Sequence, residues 1–263
     1  VHGHQQPSRG QLHNGRAAQA VAGEAVNVVL GVEVVDHRPG DRPGPEPPHV
    51  AGLLGSLRPP DLHRVFPLGS QALYTDGGTL RRPGSGFRLL ESGPHRAVYR
   101  SCYRYLDSTI QQDMIVYARS RRIDFVTTAD WHQRHILLKA AFPTELLAAN
   151  ASFEIQFGAV ERPTHFNTSW DAARFESCAQ KWADLSENGY GAALFNDCKY
   201  GYDVHDGVLR LSLIRAGTFP NEEADQGTHV FTYSLMPHVG GWREAGVSRQ
   251  AYDLNAPMEA RFL

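Results

Sequence analysis

From about Phe87 onward the sequence predicts a mainly β fold, a large antiparallel β-sandwich. Three observations predict it. Short runs alternate apolar and polar residues, an Asp-Gly pair stands between two such runs, and helical spacing is confined to one stretch. Tyr99 to Tyr105, Thr109 to Tyr117, Ile123 to Trp131 and Ile136 to Phe142 read as consecutive strands. In the third, Ile123, Phe125, Ala129 and Trp131 share one face, and Asp124, Thr128 and Asp130 share the other. Phe153, Ile155 and Phe157 repeat the alternation. Asp206-Gly207 marks a hairpin, because a type I′ turn needs positive φ and glycine supplies it at little cost. Asp171 to Ala183 is the one stretch that can be read as a helix, and Trp170 and Trp182 suit strand ends equally well. Polar residues are expected on the outer faces of the two sheets.

Residues 1–86 have another texture. Up to residue 90 the chain holds 14 of the 25 glycines and 10 of the 16 prolines, with no Lys and no Trp. The run Pro39-Gly-Asp-Arg-Pro-Gly-Pro-Glu-Pro-Pro48 excludes a helix or central strand, since proline fixes φ and removes a donor. This third of the chain is expected to be poorly ordered linker. A second reading is an out-of-frame translation of GC-rich coding DNA. The division is then 1–86 and 87–263.

Bulk properties narrow the function classes. A net charge of −2 and a pI near 6.7 select neither nucleic acid nor an anionic membrane as partner. No run approaches the ~18 apolar residues needed to span a bilayer. The N-terminus lacks the charged-then-apolar order of a secretory signal, so a cytoplasmic location is expected. Cys102, Cys178 and Cys198 are odd in number and widely spaced, which favours a reducing compartment over a disulfide framework.

Three groups of residues are candidates for a binding role. Asp197, Lys199, Tyr200, Tyr202 and Asp203 mix carboxylate, ammonium and phenol, a mixture suited to sugars: rings pack on pyranose C–H groups and charges hold hydroxyls. The bland alternative is a sheet face packed on another domain. After the hairpin, Leu209, Leu211 and Leu213 face one way, and strand period places Arg215 on the same face at the strand end. A guanidinium there needs a carboxylate, a ligand or water, and Asp225 and Glu223 are the local carboxylates. Asp225 to His229 forms a loop, where binding groups often lie. His132 and His135, three apart on a strand, point to opposite faces and make a poor metal pair.

Seven segments, in order, carry a family resemblance. They are residues 122–143 (RIDFVTTADWHQRHILLKAAFP), 161–170 (ERPTHFNTSW), 181–186 (KWADLS), 189–203 (GYGAALFNDCKYGYD), 209–215 (LRLSLIR), 224–229 (ADQGTH) and 231–238 (FTYSLMPH). Together they resemble the C-terminal β domain of family 38 α-mannosidases of the bacterial and cytosolic-vacuolar type. The resemblance implies a supersandwich of the galactose-mutarotase-like kind. It implies a retaining glycosidase acting on mannose-containing oligosaccharide, with an Asp nucleophile, an Asp acid/base and a zinc ion in a separate N-terminal catalytic domain. None of those groups is expected in this stretch. Arg215 is implied to reach toward the catalytic cleft. Alternatives are a stand-alone carbohydrate-binding β module and a non-functional gene remnant.

Overall fold

The structure, a computed structural model, describes residues 31–36, 88–174, 176–259 and 261. Two antiparallel sheets face each other. In spatial order, the smaller consists of β1 (Gly31–Asp36), β6 (Ile136–Pro143), β13 (Val208–Ile214), β12 (Gly201–His205) and β9 (Ser177–Cys178). The larger runs β2 (Arg88–Ser92), β3 (Arg96–Tyr105), β4 (Ser108–Tyr117), β5 (Ile123–Trp131), β14 (Gly227–Val239), β11 (Tyr190–Asn196), β10 (Trp182–Glu187), β7 (Asn150–Ile155) and β8 (Gly158–Pro163).

The alternation seen in the sequence builds the core. Leu138, Ala140 and Phe142 of β6, Leu209, Leu211 and Leu213 of β13, and Tyr202 of β12 meet Phe125, Ala129 and Trp131 of β5 and Phe231 and Tyr233 of β14. Burying such side chains supplies about 1.5–3 kcal/mol each, the main term that orders the sandwich. Asp206 and Gly207 turn the β12–β13 hairpin at φ 49° and 72°, both positive as a type I′ turn demands. A Cβ on Gly207 would meet the Thr144 carbonyl at 2.8 Å, so glycine is required twice over.

Two expectations need correction. The helix expected over Asp171–Ala183 shrinks to one turn, α1 (Ser169–Ala172), capped by Thr168 and Asp171. Trp182, at the strand end its alternative reading gave it, and Ala183 belong to β10, paired with Phe195 and Leu194. A helix the pattern did not announce, α2 (Val247–Asn255), follows Gly246 at φ 68° and buries only Val247 and Ala251. Those two residues lie four apart, on one face. They pack with Trp182, Ala193, Phe195 and Met236 over the outer side of the nine-stranded sheet, which is therefore not uniformly polar. Within residues 1–86 the structure describes β1, paired with β6 from Gly31↔Ala141 to Asp36↔Ile136. The rest of 1–86 lies outside the described residues. Among the described residues no helix is long and apolar enough to cross a membrane.

Candidate functional site

The candidates do not converge on one spot; the structure sorts them into three. The first is the loop after β11. Asn196, buried, organises it: its Oδ1 accepts from the Lys199 amide at 2.8 Å and its Nδ2 donates to the Gln180 carbonyl at 2.9 Å and to the Tyr202 hydroxyl at 2.6 Å. Asp197 Oδ2 accepts from the Thr232 amide at 2.8 Å. Lys199 lays its ammonium 4.7 Å from the centroid of Phe231, a cation–π contact with a buried ring. Tyr200 remains exposed, at 53%. Asp197 and Lys199 thus flank β14, and both are committed to holding the loop. Between them, Cys198 has its thiol pushed from near 9.0 up to about 11, first by burial and then by the hydrogen bond to Asp197.

The second group is split by the strand period. Tyr202 points into the sandwich and is fully buried, with its phenol held well above the usual range by desolvation. It cannot present a ring to a ligand. Asp203 points outward. Its Oδ2 lies 2.6 Å from Lys139 Nζ and its Oδ1 2.9 Å from Arg210 Nη1. Glu176 joins them, 3.5 Å from the same Lys139 ammonium and hydrogen-bonded to Ser212. This four-charge cluster on β6, β12 and β13 was not foreseen, although Lys139 stands inside the apolar run Ile136-Leu-Leu-Lys-Ala-Ala-Phe142 and is one of three lysines in the chain. A lysine in such a strand is a sequence-level sign of a buried partner.

Arg215 and Asp225 form the third place, and here the period fails. The β13–β6 register slips between Ser212 and Ile214, so Leu213 and Ile214 are both buried and Arg215 comes out exposed, just past the strand. The expectation that Arg215 shares the leucine face is corrected by this bulge, which shifts the alternation by one residue. The two local carboxylates are occupied elsewhere. Glu223 pairs with Arg134. Asp225 turns its Oδ2 to the backbone amides of Arg215 (3.2 Å) and Ala216 (2.9 Å). The Ala216 carbonyl in turn accepts from the His135 amide at 2.8 Å. The exit of β13 is pinned, while the Arg215 guanidinium makes no ion pair among the described residues.

A metal fits none of these places. No group of three or more His, Cys, Asp or Glu among the described residues is placed to hold one. His132 Nε2 lies 3.0 Å from Asp130 Oδ2 at the surface, and His135 Nε2 lies 3.2 Å from the Thr218 hydroxyl. The two histidines serve separate contacts. A further buried pair escaped sequence reasoning: His238 Nε2 and Asp184 Oδ2 stand 2.7 Å apart at 2% and 1% exposure. Ser186 donates to Asp184 at 2.5 Å. They lie across β10, β11 and β14, where no strand pattern distinguishes them from core.

Comparison with known proteins agrees with this architecture. The crystal structure of an alpha-mannosidase from Enterococcus faecalis V583 superposes with a TM-score of 0.61 at 18% identity, over 68% of this chain and 24% of that one, which establishes the shared fold. Alpha-mannosidase 2C1 of Homo sapiens is 45% identical over 192 residues, and alpha-mannosidase G of Dictyostelium discoideum is 47% identical over 173. These alignments take in 73% and 64% of this chain but only 17% and 16% of the relatives. The sequence model described as glycosyl hydrolases family 38 C-terminal domain matches residues 73–223, starting upstream of Phe87. The chain belongs to the glycosyl hydrolase family 38 C-terminal domain family.

Proposed function

We propose that this chain is the C-terminal β domain of an α-mannosidase that removes terminal α-D-mannosyl residues from mannose-containing oligosaccharides with retention of configuration. The single observation that carries the reading is the 45% identity to alpha-mannosidase 2C1 sustained over 192 residues. In this reading the domain is a scaffold. The nucleophile, the acid/base and the zinc ligands of the retaining mechanism come from polypeptide outside the described residues. Zinc, when bound there, grips sugar hydroxyls.

The domain's own contribution is Arg215. Its backbone is fixed by Asp225 and its guanidinium faces solvent without a carboxylate partner among the described residues, which leaves its N–H groups for a ligand hydroxyl. Asp197, Lys199 and Asp203 support the scaffold through Thr232, Phe231 and Lys139, and Tyr202 through Asn196. Tyr200 is the exposed ring of the set. The three free thiols suit a reducing compartment such as the cytoplasm.

A direct assay tests the division of labour. The 263-residue chain, incubated with an aryl α-mannoside and added zinc, is expected to release no more phenol than a blank. Turnover well above the blank would mean that these residues hold a complete catalytic set, and the scaffold reading would fall.

A further inference from the structure

We propose that the cleft between the β4–β5 connection and α2 is a saccharide-binding site for a neutral hexopyranose, separate from the Arg215 end of the domain. The cleft has a volume of about 450 Å³ and is lined by His95, Tyr117, Arg119, Arg122, Gln250 and Asp253, with Ala118 and Ser120 at its edge. A volume of this order accepts one or two sugar rings.

Its back wall is built and fixed. Arg122, with its side chain 14% exposed, spends three N–H groups on protein acceptors: Nε on Asp124 Oδ1 at 2.7 Å, Nη2 on Asp124 Oδ2 at 3.1 Å, and Nη1 on the Gln250 carbonyl at 3.1 Å. A guanidinium has five N–H groups, so two remain, held in a plane by the other three. Tyr117 donates its hydroxyl to Asp124 at 2.8 Å, which anchors the ring that lines the cleft. Ser234 completes Asp124 from behind at 2.7 Å. The Gln250 carbonyl contact ties the β4–β5 connection to α2, so the two walls are joined across the floor.

Charge decides the ligand class. Arg119 and Arg122 are balanced by Asp253 on the opposite wall and Asp124 behind. A balanced cleft gives a phosphate dianion no net attraction. A polyol uses both halves, accepting from guanidinium and donating to carboxylate, while its C–H face packs on an aromatic ring. The place is also distant from Arg215. Arg122 precedes the first residue of β5, whereas Gly227, two residues after Asp225, pairs with Trp131 at its last. Eight steps of ~3.3 Å separate the two ends by roughly 26 Å.

The test uses the whole chain and methyl α-D-mannopyranoside, titrated by calorimetry and by amide NMR shifts. Saturable millimolar binding is expected. The side chains of Arg119 and Asp253 are exposed and make no hydrogen bond among the described residues, so R119A and D253A should melt as the parent does. Each should weaken binding about tenfold. The proposal is overturned by absence of saturation, by binding indifferent to R119A and D253A, by binding lost in R215A instead, or by inorganic phosphate displacing the sugar.

Discussion

Lys139 shows how one residue sets local energetics. Its ammonium, 7% exposed, is shared by Asp203 and Glu176 on neighbouring elements. Removing it leaves two carboxylates with less compensation in a partly dry setting, the costly way to break such a cluster. Lys139→Met is expected to lower unfolding free energy by about 3 kcal/mol, read from the urea midpoint at unchanged slope. Cys198 gives a second residue-scale expectation. With a thiol at about 11 instead of 9.0, its thiolate fraction at pH 8 is about a hundredfold lower than that of an ordinary cysteine. Modification by a maleimide should be correspondingly slow and should accelerate as the pH rises toward 11. The raised value also means that the native state keeps a proton that the unfolded chain loses above about 9, so this thiol's contribution to stability declines between those two pH values. Neither expectation was available from residue order alone: Lys139 was visible as an oddity in an apolar run, but its partners come from β12 and from the segment before β9.

At the scale of elements, the strands were legible where one face is buried and the other is wet. β5 runs from Ile123 to Trp131, as its alternation indicates, and the Asp206-Gly207 hairpin follows from turn chemistry. What was not legible depends on events without a period. The slip between Ser212 and Ile214 reverses the facing of Arg215, and nothing in Leu-Ser-Leu-Ile announces it. α2 escaped because it buries two residues on a polar background. The row formed by Ser186, Gly191 and His238 across β10, β11 and β14 is equally silent, yet it is tightly constrained. A Cβ on Gly191 would collide with the Ser186 hydroxyl and the His238 ring beside buried Asp184. Gly191→Ala is expected to cost about 3 kcal/mol, seen as a lower Tm in a calorimetric scan, while the fold assessed by far-UV circular dichroism is retained.

For the whole molecule, the sheet edges decide its behaviour in solution. β1 covers the outer side of β6 along six paired residues. A chain beginning at Arg88 would present β6 as an open edge of eight largely apolar residues, Ile136–Pro143. Such an edge recruits other strands. That truncated chain is expected to self-associate in size-exclusion chromatography with light scattering, whereas the 263-residue chain should elute at a smaller mass. If the two elute alike, the β1 pairing contributes nothing to solubility. The sandwich as a class was readable because its core repeats every second residue; the identity of its edges was not, since the β1 strand lies in a stretch whose glycines and prolines outweigh its short apolar run. The buried phenol of Tyr202 has one last consequence. It springs from the smaller sheet, yet its oxygen lies 2.6 Å from Asn196 and 3.4 Å from the Leu194 carbonyl in the larger. That strut resists shear: one layer cannot glide over the other without stranding polar atoms in a dry interior. Any mobility that serves a ligand must therefore arise in the connecting loops, with the two layers travelling as a single rigid plate.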